Sequence, residues 1–458
     1  FEKIEPDDKH NWINLADNDF DSLLPLIDKD VKLGKKDDAA IFELYSLGVA
    51  TNRDAWNYDF DKATLQQKTQ FFCEYYEKSK VEYLKLKDKK DFNDSEIKFT
   101  EEILDHFDKN SNLKFDSNKI RSSLYRPFIK KWTYLDRIIT HRIYQQDKIF
   151  PINNNNKPNL CIGFIGKDTV VPFSVLAFDK INDLNGLSNA AGGTKTLPLY
   201  RYDSEGKQLE NITDWALQKF RERYESKSVA SVLADASQDE LLSTSDAVAH
   251  TTATDKPATA KQSITKQDIF HYVYAVLHNP SYRTKYELNL KREFPRIPFY
   301  NDFWQWAAWG KSLMDLHINY ENQKSFALNR RDAETLRKAK ENEASLFDNA
   351  DSVSIEDFVS APKTKLKANK VNGIIEIDSV TQLTGIPEIA WEYKLGNRSA
   401  LEWILDQYKE RKPQDATIAE KFNTYKFEDY KESVIDLLKK VCAVSVKTME
   451  IIGKMPKT

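Results

Sequence analysis

Between residues 160 and 202 the chain changes texture. Leu160 to Ile165, Val170 to Phe178 and Thr196 to Tyr202 are short apolar runs rich in β-branched and aromatic residues. Gly and Asn separate them, and Asp203-Ser204-Glu205-Gly206 closes the last. Runs of this length bounded by turn formers are strands. On either side the pattern is helical. Ala63 to Lys87 is polar and aromatic without Gly or Pro. Thr265 and Asp268 form a capping box ahead of Ile269, Val273, Val276 and Leu277, and Asn279-Pro280 stops that helix. From Asn301 onward, Phe303, Trp306, Ala307, Gly310, Leu313, Met314 and His317 recur at helical spacing, as a core face. Ile374 to Ile377 reads as a strand, and Val434, Leu437, Leu438, Val441 and Val444 as a closing helix. The fold expected is therefore α+β: a helical N-terminal connector, a central mixed or antiparallel sheet region and a helical C-terminal third. Residues 225 to 263 hold no aromatic and are rich in Ser, Thr, Ala and Asp, so they read as a flexible insertion. Residues 335 to 370 read as a polar linker.

Two or three domains are expected from 458 residues. The longest mostly apolar run, Val170 to Phe178, contains Pro172 and Ser174 and falls far short of the roughly 20 residues that cross a bilayer. No membrane partner is expected. Cys73, Cys161 and Cys442 are odd in number and far apart, which argues against a disulfide framework and for a reducing cytoplasm. The opening Phe1 to Glu5 has neither a basic nor an apolar segment of a signal peptide, and the chain reads as part of a longer polypeptide.

The formal net charge of -3 conceals an uneven distribution. Residues 1 to 60 carry fourteen acids against seven bases, so the remainder is mildly basic. Between 119 and 148, Lys119, Arg121, Arg126, Lys130, Lys131, Arg137, Arg142 and Lys148 face only Asp136 and Asp147, with Tyr125, Phe128, Trp132, Tyr134 and Tyr144 interleaved. Arg283 to Arg296 and Lys363 to Lys370 form two further clusters. Clustered cations beside aromatics are the footprint of a polyanion-binding face, although a solvated surface looks the same.

Catalytic chemistry is not visible. Gly192-Gly193-Thr194-Lys195 lacks the upstream glycine of a phosphate-binding loop and runs into a strand. His271 and His278 are seven apart without the Glu of a zincin helix, and read as satisfied structural histidines. Pro6-Asp7-Asp8-Lys9 has no strand around it to bring carboxylates together on a metal. There is no Gly-x-Ser-x-Gly elbow and no Pro-Pro pair for an adenine methyltransferase loop. The expectation is a chain with no catalytic residue and no metal or cofactor of its own.

Four longer blocks carry a resemblance: Gly48 to Trp56 (GVATNRDAW), Arg126 to Arg137 (RPFIKKWTYLDR), Phe270 to Arg283 (FHYVYAVLHNPSYR) and Trp391 to Trp403 (WEYKLGNRSALEW). In this order they resemble the C-terminal part of type ISP restriction-modification enzymes, which join nuclease, translocase, adenine methyltransferase and target-recognition domains in one polypeptide. The resemblance implies that residues 1 to 110 are the tail of the methyltransferase module and a helical connector, and residues 111 to 458 the target-recognition domain. It implies duplex DNA as partner, together with the upstream methyltransferase and translocase domains of the same polypeptide. S-adenosylmethionine, ATP and Mg belong to those upstream domains. The parent chain would be an adenine-N6 methyltransferase and type I-like restriction endonuclease, and this stretch its sequence-reading module. The alternative is a scaffold region coupling translocase to methyltransferase.

DNA reading needs phosphate contacts that set register and side chains that reach base edges. Arg126, Lys130, Lys131, Arg137 and Arg142 suit phosphates, as one basic edge of a cleft, unless Trp132, Tyr134 and Leu135 are the core face of a helix. Asn397 and Arg398 precede a helix whose N-terminus suits a phosphate, or else Ser399 is an ordinary N-cap. Thr51, Asn52 and Arg53 resemble the block after a methyltransferase catalytic loop, near a flipped adenine or adjacent DNA; Asp54 pairing with Arg53 or capping a helix is the plain alternative. Gly192, Gly193 and Thr194 form a turn or a close approach to DNA, and Lys195 beside them completes the DNA-binding candidates.

Overall fold

Thr265 and Asp268 do form a reciprocal capping box, and the helix they open is buried from Ile269 through His278. A helix apolar on every side needs partners all round, and the rest of the chain supplies them. The computed structural model describes residues 18–35, 39–94, 96–151, 158–188, 192–225, 263–332 and 362–457. Its principal helices are α1 (Lys62–Lys85), α2 (Glu101–Asp108), α3 (Asp214–Tyr224), α4 (Lys266–His278), α5 (Pro280–Lys285), α6 (Phe303–Ile318), α7 (Ala400–Gln407) and α8 (Phe427–Gly453). The longer sheets use β1 (Ser46–Leu47), β2 (Tyr58–Asp59), β3 (Ile120–Arg126), β4 (Ile129–Tyr134), β5 (Cys161–Ile165), β6 (Ser174–Phe178), β7 (Ile181–Asn182), β8 (Lys195–Pro198), β9 (Asn329–Arg331), β10 (Thr364–Asn369), β11 (Ile374–Asp378) and β12 (Gln382–Thr384). The architecture is α+β.

Three four-stranded sheets organise the chain, in the orders β1-β8-β5-β6, β2-β4-β3-β7 and β9-β12-β11-β10. Pairing within them is antiparallel except for β3 with β7, where Ser123 and Leu124 run parallel to Ile181 and Asn182. Every residue of β5 and β6 is buried, which explains their unbroken apolar runs. Alternation sends Ile162, Phe164, Val175 and Ala177 into a core built around α4 and α6. The intervening Cys161, Ile165, Leu176 and Phe178 enter a second core with α7, α8 and the β11–β12 strands. A third, strongly aromatic cluster lies under α1 and α2, where Trp56, Phe72, Tyr76, Phe99 and Phe107 meet edge to face.

Residues 120 to 134 are a β-hairpin, which removes the alternative of a helix with Trp132, Tyr134 and Leu135 on its core face. A period-two pattern of Lys130, Trp132 and Tyr134 against Lys131 and Thr133 was masked by charged residues on both faces. Of the expected polar linker, Thr364–Asn369 is β10, whose lysines alternate outward from Leu366. The remainder of the linker up to residue 361, residues 226 to 262 of the insertion, and Pro6 to Lys9 lie outside the described residues.

Helices α4 and α6 approach so closely that a Cβ built on Gly310 would lie 1.7 Å from the carbonyl oxygen of His271. Gly310→Ala is therefore expected to destabilise the chain by about 3 kcal/mol, the upper end of overpacking costs. A denaturant midpoint unchanged from wild type would show that the two helices can separate freely.

Candidate nucleic-acid interface

The β3–β4 hairpin turns through Pro127 and Phe128 alone, since Arg126 pairs directly with Ile129. Proline presets the first turn position, but Phe128 sits at φ +61°, a region glycine normally occupies. Its ring is held between Tyr320 at 5.1 Å and Tyr393 at 6.3 Å. Burial of that ring offsets the backbone strain, so the turn depends on tertiary packing. The pleat then aligns Ser122 with Trp132 on one face and Ser123 with Lys131 on the other.

The basic residues of the hairpin have divergent environments. Arg126 is buried and donates to Asp183 at 2.8 Å, with its guanidinium 4.0 Å from the Tyr125 ring centre. Burial raises the Asp183 carboxyl to about 6, the nearby Arg126 charge opposing it. Lys130 pairs with Glu321 and lies over Tyr320. Lys131 stands over Phe60 and Tyr125, 4.5 and 4.1 Å from their ring centres. Burial, helped by the repulsion of Arg126, pulls its ammonium down to about 8. Arg137 is exposed and reaches Asp147, and Arg142 is exposed with its backbone paired to Ala50.

Of the other candidates, the Thr51 hydroxyl donates to Asp54, which also accepts from the Tyr125 hydroxyl at 2.8 Å. Asp54 thus opens the short helix Asp54–Asn57 without an ion pair to Arg53. Arg53 is directed inward to the Ile139 carbonyl and the Thr100 hydroxyl. Asn52 is exposed at φ +54°, a conformation asparagine tolerates. Lys195 is buried, donating to the carbonyls of Gly192 at 2.7 Å and Lys167 at 3.0 Å; burial lowers its pKa. It closes the glycine turn internally. Gly396 and the exposed Asn397 make a two-residue hairpin turn. Arg398 pairs with Asp406 over the Trp403 ring. The Ser399 N-cap is completed by Glu402, itself paired with Lys370, so this helix start already carries a carboxylate.

Sequence-distant blocks meet along one seam. Asp183, the partner of Arg126, bridges to Val49. Gly48 N–H donates to the Thr194 carbonyl, the Thr194 hydroxyl accepts from Leu187, and Gly396 packs against the Leu187 carbonyl. The 139–142 segment runs beside Ala50 to Arg53. Next to the hairpin, a cleft of about 340 Å³ is lined by Lys62, Arg121, Ser122, Trp132 and Lys180. Lys62 lies 5.1 Å from the Trp132 ring centre. Lys62 and Lys180 escaped the sequence reading because they lie outside the 119 to 148 window, and β2 and β7 bring them to it. Among the described residues no group of three His, Cys, Asp or Glu is placed to hold a metal, and no helix is long and apolar enough to cross a membrane.

The model of the type ISP C-terminal specificity domain matches residues 40–437. The chain belongs to this family. Its matched span begins within the first 110 residues. The specificity-domain fold is shared with three solved structures. The cryoEM structure of a DrdV–DNA complex is 39% identical with a TM-score of 0.79, covering 100% of this chain and 40% of that one. A nuclease-deletion mutant of the type ISP restriction-modification enzyme LlaGI, in complex with a DNA substrate mimic, is 25% identical with a TM-score of 0.71, covering 100% and 30%. The ATP-dependent type ISP enzyme LlaBIII bound to DNA, 24% identical with a TM-score of 0.72 over 99% and 25%, shares the fold. The chain thus spans less than half the length of these relatives. No curated protein matches it.

Removing one partner of a buried ion pair leaves the other charge uncompensated. Arg126→Ala is expected to cost about 3–5 kcal/mol, and Arg126→Met with Asp183→Leu to recover most of it; urea unfolding of the single and double variants measures both. Lys131 releases its proton from the folded chain near pH 8, against 10.5 for an ordinary lysine. The unfolded chain then holds more protons between those values, so stability should rise with pH across that window. Lys131→Met should flatten that rise in pH-dependent unfolding curves.

Proposed function

We propose that this specificity domain reads a duplex DNA sequence for a type ISP restriction-modification enzyme, directing adenine methylation and DNA cleavage carried out by upstream domains. The observation that carries the reading is the family match over 40–437 together with the fold shared with a DNA-bound relative at 39% identity. In this reading the upstream methyltransferase and translocase use S-adenosylmethionine, ATP and Mg, the whole acts in the cytoplasm, and residues 1 to 110 join the methyltransferase to the reading module. In this reading bond-making belongs to the upstream domains and not to these residues. Their work is to hold a duplex in register.

Accessibility assigns the labour. Arg137 and Arg142 are exposed and suit phosphates, with Lys62, Arg121 and Lys180 around the adjoining cleft, while Lys131 is held against Phe60 and Tyr125. Exposed Asn52 and Asn397, each at a turn, present amides of the kind that pair with a base edge. Arg126, Arg53 and Lys195 keep their charges inside: Arg53 holds the segment that carries Asn52, Arg126 pairs with Asp183 and Lys195 closes the glycine turn.

Binding of duplex DNA by the intact enzyme should weaken steeply with salt. The double variant Arg137→Ala with Arg142→Ala should reduce the slope of log affinity against log salt by about 2, one per lost phosphate contact. Asn397→Ala should instead relax discrimination among sequences with little change in slope. Affinity and slope unchanged in the arginine variant would move the footprint elsewhere; no salt-sensitive binding by the unaltered enzyme would end the DNA reading.

A further inference from the structure

The block Phe270 to Arg283 ends on a feature that the proposed DNA face does not use. Arg283, on α5, donates its Nε to the Leu277 carbonyl at 2.7 Å. That bond ties the guanidinium to the end of α4, 5.6 Å from the Phe173 ring centre, and Arg283 lines a cleft of about 380 Å³. No carboxylate among the described residues pairs with it. Two polar atoms of residues in the cleft wall stand without partners: Nε2 of His278 and the hydroxyl of Tyr393. Both residues are almost wholly buried and both interact electrostatically with Arg283. His278 is therefore not the fully satisfied structural histidine expected from sequence. Its Nδ1 is bonded to the Tyr274 carbonyl, whereas His317, behind it, is bonded at both nitrogens, to Tyr274 and Thr448.

A buried polar atom without a partner costs about 1–3 kcal/mol, so two such atoms beside a guanidinium that no described carboxylate neutralises indicate an absent ligand. We propose that the cleft bounded by Arg283, His278 and Tyr393 binds a phosphate ester, with the guanidinium fork on two phosphate oxygens and Tyr393 donating to a third. A fixed guanidinium matches phosphate bidentately. Thr284 stands exposed at the mouth, and Lys394 adds a second cation. Of the acids on the rim, Glu287 is paired with Lys291 at 2.7 Å and Glu392 is exposed to solvent. Phe173, Pro280 and Ile452 give the cleft an apolar wall that suits a sugar or base edge attached to the phosphate. Burial lowers Arg283 to about 10, which leaves it a cation at neutral pH, and burial holds His278 well below its ordinary value; the single N–H of that neutral imidazole goes from Nδ1 to the Tyr274 carbonyl, so Nε2 stands at the cleft as an acceptor for a ligand O–H.

The phosphate ester can come from the backbone of bound DNA or from a free nucleotide, and the DNA source rests on the function proposed above. The test uses the 458-residue chain with inorganic phosphate, dAMP and a short duplex as separate probes. Thr284→Trp blocks the mouth without touching the core. Tyr393→Phe deletes an unpartnered hydroxyl, so its melting temperature should equal or exceed that of the wild type. Calorimetry should show saturable binding of inorganic phosphate to the wild type, lost in Thr284→Trp and weakened about tenfold in Tyr393→Phe. If the DNA backbone is the source, Thr284→Trp also weakens duplex binding about tenfold, lowers its salt slope by about 1, and prebound duplex abolishes the phosphate signal. If a free nucleotide is the source, dAMP binds and duplex affinity is unchanged. Phosphate binding without any duplex binding would overturn the DNA reading and keep the pocket. No saturable binding of phosphate or dAMP, with duplex affinity and slope unaltered by Thr284→Trp, would overturn the pocket.

Discussion

Strands β5 and β6 form a wall shared by two cores, and the rest of the molecule is arranged around that constraint. Because successive side chains of a strand point to opposite faces, each strand must be apolar at every position to serve both sides. Ile162 and Phe164 seal against α4 and α6 while Cys161 and Ile165 seal against α7 and α8. A one-residue slip would exchange the two sets. The wall therefore fixes where α4 ends, and with it His278 and Arg283, relative to the Gly396 turn. Ser174, at the start of β6, accepts the Gly396 N–H at 2.7 Å.

Around this apolar frame, cationic side chains divide by what surrounds them. Those facing inward have exchanged water for a carboxylate or for carbonyl oxygens, as Arg126 and Lys195 have. Those facing outward keep hydration and remain available to a polyanion. Formal charge cannot separate the two groups, since the cost of burying an ion is offset only by partners that the fold supplies. The cluster from 119 to 148 is thus a mixture: part of it braces the hairpin against β7, and part forms the rim of a cleft.

Several elements could be read from the residues directly. The capping box at Thr265, the long helix read from Ala63, and the strands β5, β6 and β11 follow from local chemistry and period. The hairpin at 120 to 134 did not announce itself. Lysines on both faces hid its alternation, and its turn places a phenylalanine where glycine is usual. Residues 364 to 369 looked like linker because their charges point to solvent, yet Leu366 anchors them to the core. For the candidate site, the blocks around Thr51, Arg126 and Asn397 were legible, but their meeting along one seam was not.

Sequence by itself determined several of the helices and strands, and the ordered blocks resembling type ISP enzymes. It also showed that near-neutral charge is the sum of an acidic start and a basic remainder. Only the tertiary structure decided which arginines are braces, that Nε2 of His278 and the Tyr393 hydroxyl lack partners, and that Lys62 and Lys180 join Trp132 at a cleft. The reason is physical. Periodicity and capping act over a few residues along the chain, whereas burial, ion pairing and the meeting of polar groups depend on contacts between residues far apart in sequence.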